Sequence, residues 1–170
     1  NDIKELFSDV SWRSMFILTL FVFITLAMWG SAMCYYFQNY VDPQSLGLFL
    51  DKLGLVKEEG AVLGSGMQVL DSFSLLATKS ADGTIAPNEA YSIGLSVFNM
   101  MGALIQLAGV MLLSEFLANR YGKKVTFIVC LALTALLTAA FFIPASDDIE
   151  LIFILGALKS LAYAPTVPLL

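Results

Sequence analysis

The stretch LANRYGKKV, residues 117–125, decides the predicted fold because it places a basic cluster between two long apolar runs. Arg120, Lys123 and Lys124 lie within it, whereas the runs on either side carry very few charges. In membrane proteins, short loops rich in Lys and Arg remain in the cytoplasm. The stretch therefore predicts a cytoplasmic connection, residues 118–124, between two membrane-spanning helices.

The composition is that of a membrane protein. Of the 170 residues, 58% are hydrophobic and 14% are charged, whereas soluble domains have roughly 45–50% apolar and about 25% charged residues. Histidine is absent, and the two cysteines, Cys34 and Cys130, both lie in apolar runs. We therefore expect no disulfide framework, no metal site, no bound cofactor and no Ser-His-Asp catalytic set, hence no enzyme.

Four runs are long and apolar enough to cross a bilayer as helices, which takes about 20 residues each. In chain order they are residues 14–41, 90–117, 125–143 and 151–170. They are too continuously apolar for the alternating strands of a β-barrel. The predicted fold class is therefore an all-α integral membrane protein with four transmembrane helices.

The charges of the connections predict an orientation. Residues 144–150, PASDDIE, carry three acidic residues and no basic one, in contrast to 118–124. The positive-inside rule places 144–150 outside and both 118–124 and the N-terminus in the cytoplasm. Residues 1–13 have apolar side chains at helical spacing, which predicts an amphipathic linker helix at the membrane surface, or else the frayed start of the first span.

Residues 42–89 form a long extracytoplasmic segment. Two stretches within it, 45–56 and 66–77, have apolar residues at helical spacing. We expect short amphipathic helices on the outer face, because the segment is too short to bury a good core of its own. Its role is either packing over the helix ends or that of a lid or partner surface.

Polar side chains inside a span are costly and usually face a cavity or another helix. The candidates are Tyr36, Asn39, Asn99, Gln106, Lys159 and Tyr163. Tyr36 fits an interfacial anchor as well as a substrate contact, and Asn99 and Gln106 fit interhelical hydrogen bonds as well. Lys159 lies near mid-membrane with no acidic partner in the first three spans. We expect it to face a water-filled cavity or to pair with a carboxylate outside this sequence.

The last span has the features of a closely packed and then interrupted helix. Gly156, Ser160 and Ala164 recur every four residues, which predicts a small-residue face in contact with a neighbouring helix. Pro165 and Pro168 then remove backbone donors from the helical ladder. They predict either a kink or a broken helix that lines a cavity.

The basic stretch resembles the loop signature of the major facilitator superfamily, which recurs in each half between the second and third helices. The matching residues are Arg120, Gly122, Lys123 and Lys124. Asn119 stands where Asp is usual in that signature. The resemblance implies that the basic loop serves as a cytoplasmic latch between helices.

Two further stretches resemble one branch of this superfamily, the glycoside–pentoside–hexuronide:cation symporters that include melibiose permease. SAMCYYFQNYV (31–41), which follows SWRSMF (11–16), is similar to their seventh helix, and GALKSLAYAPTVPLL (156–170) is similar to their tenth. The resemblance implies helices seven to ten of a twelve-helix transporter, that is, a partial major-facilitator fold. The absence of an initial Met and the apolar end of the chain agree with such a fragment.

The same resemblance implies symport of a sugar or glycoside by alternating access, coupled to Na⁺ or H⁺, in a bacterial inner membrane. The coupling-cation site would lie outside this chain. Expected partners are the lipid bilayer, the N-terminal half and helices 11–12 of the same transporter, and the substrate; nucleic acid is not among them. The substrate path would be walled by Tyr36, Asn39, Asn99, Gln106, Lys159 and Tyr163.

Two other functions remain open from the sequence. A lysolipid-type transporter of the same fold would suit the amphipathic material at 42–89. A four-span membrane interaction protein without transport activity would suit a chain that is complete in itself.

Overall fold

The computed structural model describes residues 7–62, 64–80 and 82–169. In chain order, the α-helices there are α1 (Val10–Asn39), α2 (Pro43–Lys52), α3 (Ser65–Ser72), α4 (Pro87–Tyr121), α5 (Lys123–Ala139) and α6 (Ile149–Tyr163). Short 3₁₀ helices, Ala140–Phe142 and Ala164–Leu169, extend α5 and α6. Four helical stretches, those built on α1, α4, α5 and α6, are long and apolar enough to cross a membrane. The predicted all-α membrane fold with four such helices is confirmed.

Helix α1 begins earlier than the predicted span at 14–41. The carboxylate of Asp9 accepts a hydrogen bond from the backbone N–H of Ser11 at 2.9 Å and so caps the first turn. The end of the predicted linker helix 1–13 is therefore part of the spanning helix itself. Residues 1–6 of that prediction lie outside the described residues.

The connection between α4 and α5 is shorter than the predicted 118–124. Helix α4 continues to Tyr121, so that Gly122 alone separates it from α5. The residues around Gly122 include Ala, Arg and Lys, which are good helix formers and extend both helices. Gly122 has φ 83° and ψ 149°, a backbone conformation that other L residues rarely adopt.

The segment between α1 and α4 folds into a small cap, defined as residues 42–86 with the gaps already given. Helices α2 and α3 overlap the two predicted amphipathic stretches. The cap also contains two parallel strands that the sequence did not predict, β1 (Val56–Glu58) and β2 (Ala77–Lys79). Each strand has three residues, which is too short for an alternating pattern to be recognised. Within the cap, Lys57 forms an ion pair with Asp71, and Lys79 forms one with Asp51.

The cap is anchored on the ends of the spanning helices. Leu46 is fully buried against Gly94 of α4, where an added Cβ atom would lie only 2.7 Å from a Leu46 methyl carbon. The ring of Phe49 lies 4.8 Å from that of Phe153 in α6, centroid to centroid. The backbone N–H of Asp42 donates to the carbonyl of Ser146 at 2.9 Å. The cap therefore joins α1, α4 and α6 at this end, called the cap end below.

A cluster of aromatic rings forms the core beneath the cap. Phe37, Phe98, Phe141 and Phe153 are each buried, and the paired rings among them have centroids 5.5 to 6.4 Å apart. These rings come from α1, α4, α6 and the 3₁₀ turn after α5. Together they bring the cap ends of all four spans to one place.

The small-residue face of α6 packs closely against α4, as its spacing predicts. The contacts are Gly156 with Phe98, Ser160 with Gly102 and Ala164 with Gly109. Close packing of this kind is the main source of helix association where lipid surrounds the bundle. The α-helix ends at Tyr163, and the backbone beyond it, which contains both prolines, is a 3₁₀ helix.

Helix α1 contacts the other spans mainly through its cap end. Met33 and Phe37 are buried there. By contrast, the most apolar 18-residue window of α1 has no buried residue in the described chain. The part of α1 that lies away from the cap therefore presents an apolar surface suited to a lipid bilayer.

Candidate functional site

A cavity of about 350 Å³ lies among α1, α4, α5 and the 3₁₀ helix after α6, and it is called the span cavity below. Its polar lining consists of Gln106, Tyr163 and Thr166, and its apolar lining of Val22, Phe23, Leu26, Phe127, Leu131 and Val167. Two of the six residues predicted for a substrate path, Gln106 and Tyr163, thus meet at one site although they lie on different helices.

The hydrogen-bonding groups of the span cavity are mostly available to a ligand. The hydroxyl of Thr166 donates to the carbonyl of Tyr163 at 2.6 Å, which leaves its oxygen as an acceptor. Among the described residues, the amide of Gln106 has no hydrogen-bond partner, whereas the phenol of Tyr163 interacts with the hydroxyl of Thr166. An apolar and aromatic wall with a few neutral polar groups is the usual lining of a small-molecule site.

Lys159 lies beside the span cavity, and its partner is an aromatic ring. The Nζ atom is 3.4 Å from the ring centroid of Trp29 on α1, which is a close cation–π contact. The sequence predicted either a cavity or a carboxylate outside this sequence as the partner of this lysine. Within the described residues, no carboxylate lies within 4.0 Å of Nζ.

Trp29 is the residue of the site that sequence reasoning missed. It lies ten residues before Asn39, the last residue of α1, and Lys159 lies ten residues after Ile149, the first of α6. Because α1 ends and α6 begins at the same end of the bundle, the equal depth of Trp29 and Lys159 was a usable signal. The rotation that turns the indole towards α6 depends on packing and is not visible in the sequence.

The seam between α1 and α6 places the Trp29–Lys159 pair next to the span cavity. On α6 and its 3₁₀ extension, Tyr163 and Thr166 line the cavity, and Lys159 lies one turn before Tyr163. On α1, Leu26 lines the cavity and Trp29 follows three residues later. The pair therefore lies about one helical turn, roughly 5 Å, towards the cap end from the cavity lining.

A second concave site lies at the cap end, between α1 and the start of α4, and it is called the polar cleft below. Its volume is about 680 Å³. It is lined by Cys34, Phe37, Gln38, Asn39, Asn88, Tyr91, Ser92, Leu95 and Ser96. None of these side chains is a carboxylate or a cation. The predicted residue Asn39 belongs here; its amide N–H donates to the carbonyl of Tyr35 at 2.9 Å, which leaves its oxygen free to accept.

Besides Lys159, two predicted residues line neither site. Asn99 is exposed on α4, between the polar cleft and the span cavity. Tyr36 packs at the cap end, where its phenol donates to the carbonyl of Phe141 at 3.3 Å and its ring lies 5.0 Å from that of Tyr40. The observed contacts of Tyr36 join α1 to the 3₁₀ turn after α5, which is a packing role.

The basic cluster lies at the opposite end of the bundle from the cap. Arg120, Lys123 and Lys124 are exposed, and Gly122 forms the joint between α4 and α5. The guanidinium of Arg120 is 5.8 Å from the ring centroid of Tyr121. In the part of the chain that the structure describes, none of the three basic side chains pairs with a carboxylate.

No protein-family model matches this chain, and neither a curated protein nor a solved structure matches it. The candidate sites therefore rest on the residues and the geometry of this chain alone.

Proposed function

We propose that this chain is part of a secondary active transporter that carries a sugar or glycoside across a membrane together with a cation, by alternating access. The observation that carries this proposal is the span cavity. It brings Gln106, Tyr163 and Thr166 together inside helices that are otherwise apolar. Polar groups within a span are costly and typically mark a substrate or ion pathway.

The chemistry of the cavity suits a neutral polyhydroxy ligand. An amide and two hydroxyl groups can donate to and accept from sugar hydroxyls. The rings of Phe23 and Phe127 also line the cavity and offer a surface for the apolar face of a sugar ring. A site in mid-span between discontinuous helices is the usual arrangement in secondary transporters.

A line of polar residues on α4 supports a path through the membrane. Ser92, Asn99 and Gln106 recur every seven residues and so share one face of the helix. Ser92 lines the polar cleft and Gln106 lines the span cavity, with the exposed Asn99 between them. A sugar that enters at the polar cleft would therefore meet hydrogen-bonding groups on its way to the span cavity.

The family is part of the proposal. The three sequence resemblances favour helices seven to ten of a glycoside–pentoside–hexuronide:cation symporter, with the N-terminus and the basic cluster on the cytoplasmic side of a bacterial inner membrane. The basic cluster would act as a latch there. The coupling ion, Na⁺ or H⁺, would bind in the other half of the transporter. Among the described residues, no cluster of three or more acidic or Cys side chains suits a metal ion.

A lysolipid-type transporter is the second candidate, and the apolar wall of the span cavity favours it. Val22, Leu26 and Leu131 belong to that wall, and such side chains suit an acyl chain as well as a sugar ring. The two candidates differ in the ligand that should compete for uptake.

Uptake into proteoliposomes tests the proposal. The intact protein is reconstituted, a Na⁺ or H⁺ gradient is imposed, and accumulation of labelled glycosides is measured. We expect gradient-driven uptake that Gln106→Ala and Tyr163→Phe reduce severalfold to about tenfold, as loss of a hydrogen bond to ligand does. Thr25→Ala is the matched control, because Thr25 is an exposed in-span residue whose hydroxyl donates to the carbonyl of Phe21.

Three other results would each contradict a different part of the proposal. If lysolipids inhibit uptake and glycosides do not, the lysolipid-type transporter is favoured. No uptake of either ligand by a folded protein would favour the membrane interaction protein. Full activity of both cavity variants would remove the span cavity from the substrate path.

A further inference from the structure

The ammonium group of Lys159 is a half-buried charge within a described span, and no carboxylate of the described residues pairs with it. By contrast, three lysines of the cap form ion pairs with carboxylates: Lys52, Lys57 and Lys79. Lys159 is half-buried within α6, and its Nζ atom lies 3.4 Å from the ring centroid of Trp29, its one interaction partner named among the described residues. This lysine is therefore held in the spans without a counter-ion from the described residues.

An aromatic ring is an incomplete partner for such a charge. The face of an indole attracts a cation through its quadrupole, but the ring carries no net charge. A lysine ammonium has three N–H donors, and an anionic oxygen accepts them in short, charge-assisted hydrogen bonds. An oxyanion that reaches Lys159 would therefore displace the ring as the preferred partner.

The Trp29–Lys159 pair lies close to the span cavity along both helices. The pair lies about one helical turn, roughly 5 Å, from the lining residue Tyr163. A molecule whose body contacts Gln106 and Tyr163 could thus place a substituent at the ammonium. A suitable ligand would have a neutral polar body that contacts the cavity and, at one end, an anionic group that reaches the ammonium.

We propose that Lys159 and Trp29 form a binding site for an oxyanion group, a carboxylate or phosphate, of a ligand held in the span cavity. Lys159 binds the oxyanion, and Trp29 is a positioning residue that holds the ammonium at the cavity when no ligand is present. The site rests on the geometry of this chain, and its use in transport rests on the proposed function. The oxyanion has two possible sources, an acidic sugar or the headgroup of a lysophospholipid.

Fluorescence of Trp29 reports binding directly. The sequence has two tryptophans, and Trp12→Phe leaves Trp29 as the only one in this chain. The protein in lipid nanodiscs is titrated with methyl β-glucuronide and with methyl β-glucoside, which has a CH₂OH group in place of the carboxylate. A second pair, lysophosphatidylglycerol and monoacylglycerol, differs in the phosphate-containing headgroup.

We expect the emission of Trp29 to change saturably, with at least about tenfold tighter binding of the anionic member of one pair than of its neutral member. Lys159→Gln should abolish this preference, while Lys159→Arg should retain it because the charge is kept. Trp29→Phe, followed by radioligand binding, should weaken the anion preference less than Lys159→Gln does. The comparison within each pair uses only the Trp12→Phe protein, so its outcome does not depend on whether the Lys159 or Trp29 variants fold.

Each other outcome has one meaning. Equal binding of the glucuronide and the glucoside, with no preference for lysophosphatidylglycerol over monoacylglycerol, overturns the oxyanion site and leaves sugar transport standing. A preference for the lysophospholipid, without a response to either sugar, supports the oxyanion site and overturns the sugar as substrate. A response to none of the four ligands overturns the oxyanion site and the proposed function together.

Discussion

Gly156 illustrates how a single residue sets the distance between two spans. Its Cα lies against the ring of Phe98, and an added Cβ atom would overlap ring atoms Cε2 and Cζ. Phe98 in turn packs with Phe37 and Phe153 in the aromatic cluster, so the ring has little freedom to move away. A side chain at this position must therefore separate α6 from α4 or displace the cluster.

Gly156→Ala should lower the free energy of unfolding by roughly 1–3 kcal/mol, the usual cost of overpacking a filled core. Gly30→Ala is the matched control, because nothing lies within 4 Å of an added Cβ there and α1 is helical around it. Alanine should stabilise that helix by about 0.5–1 kcal/mol relative to glycine. Thermal unfolding in detergent micelles compares the two. Equal stability of both variants would contradict the close contact of Gly156 with Phe98.

For single residues, the sequence identified unusual polar side chains in the spans better than it identified the residues that they contact. Lys159 was recognised as an unusual charge in a span, and Gln106 and Tyr163 as polar groups there. The contact of Lys159 with Trp29 required the rotation of two helices about their axes, which the packing of the aromatic cluster determines. Tyr36 was proposed for the substrate path, but its phenol reaches the carbonyl of Phe141.

At the scale of elements, the spanning helices were predictable because apolar length is a strong and local signal. The first and last residues of these helices were less predictable. The predicted connection at 118–124 was inferred from charge, yet charge does not stop a helix, and only Gly122 does so. The strands β1 and β2 were missed because three residues carry no readable period, and their pairing joins positions about twenty residues apart.

Gly122→Ala should destabilise the α4–α5 hairpin, because φ 83° with ψ 149° is accessible almost only to glycine. We expect a loss of roughly 1–3 kcal/mol in the free energy of unfolding. Gly64→Ala serves as the control, since Gly64 has φ −66° and open space around it. Unfolding of both variants is followed by circular dichroism in the same micelles. Were Gly122→Ala no less stable than Gly64→Ala, the one-residue joint between α4 and α5 would be wrong.

For the whole molecule, the two ends of the bundle are held in different ways. At the cap end, α1, α4 and α6 share the aromatic cluster and the anchored cap. At the other end, α4 and α5 meet at Gly122, while the apolar window of α1 stays uncovered. The span cavity lies between these two ends, and the Trp29–Lys159 pair closes the seam on its cap side. The cap could be predicted as a place for short helices, but its anchoring depends on contacts distant in sequence, such as Leu46 with Gly94.

The orientation of the bundle in the membrane can be tested at two exposed residues, one on either side of α4. Asp82 precedes α4 in the cap and Lys124 follows it. If α4 crosses the membrane once, cysteines at these positions must be labelled from opposite sides. The positive-inside rule further places Lys124 in the cytoplasm and Asp82 outside.

The measurement uses a membrane-impermeant maleimide on intact cells, in a background with Cys34→Ser and Cys130→Ala. We expect Asp82→Cys to be labelled in intact cells and Lys124→Cys only after permeabilisation, because the basic cluster stays inside. The background without either new cysteine is the control for residual labelling. The reverse pattern would keep the spanning helices and invert the orientation. Labelling of both positions in intact cells would mean that α4 does not separate the cap from the basic cluster, and the membrane path through the polar cleft and the span cavity would fail with it.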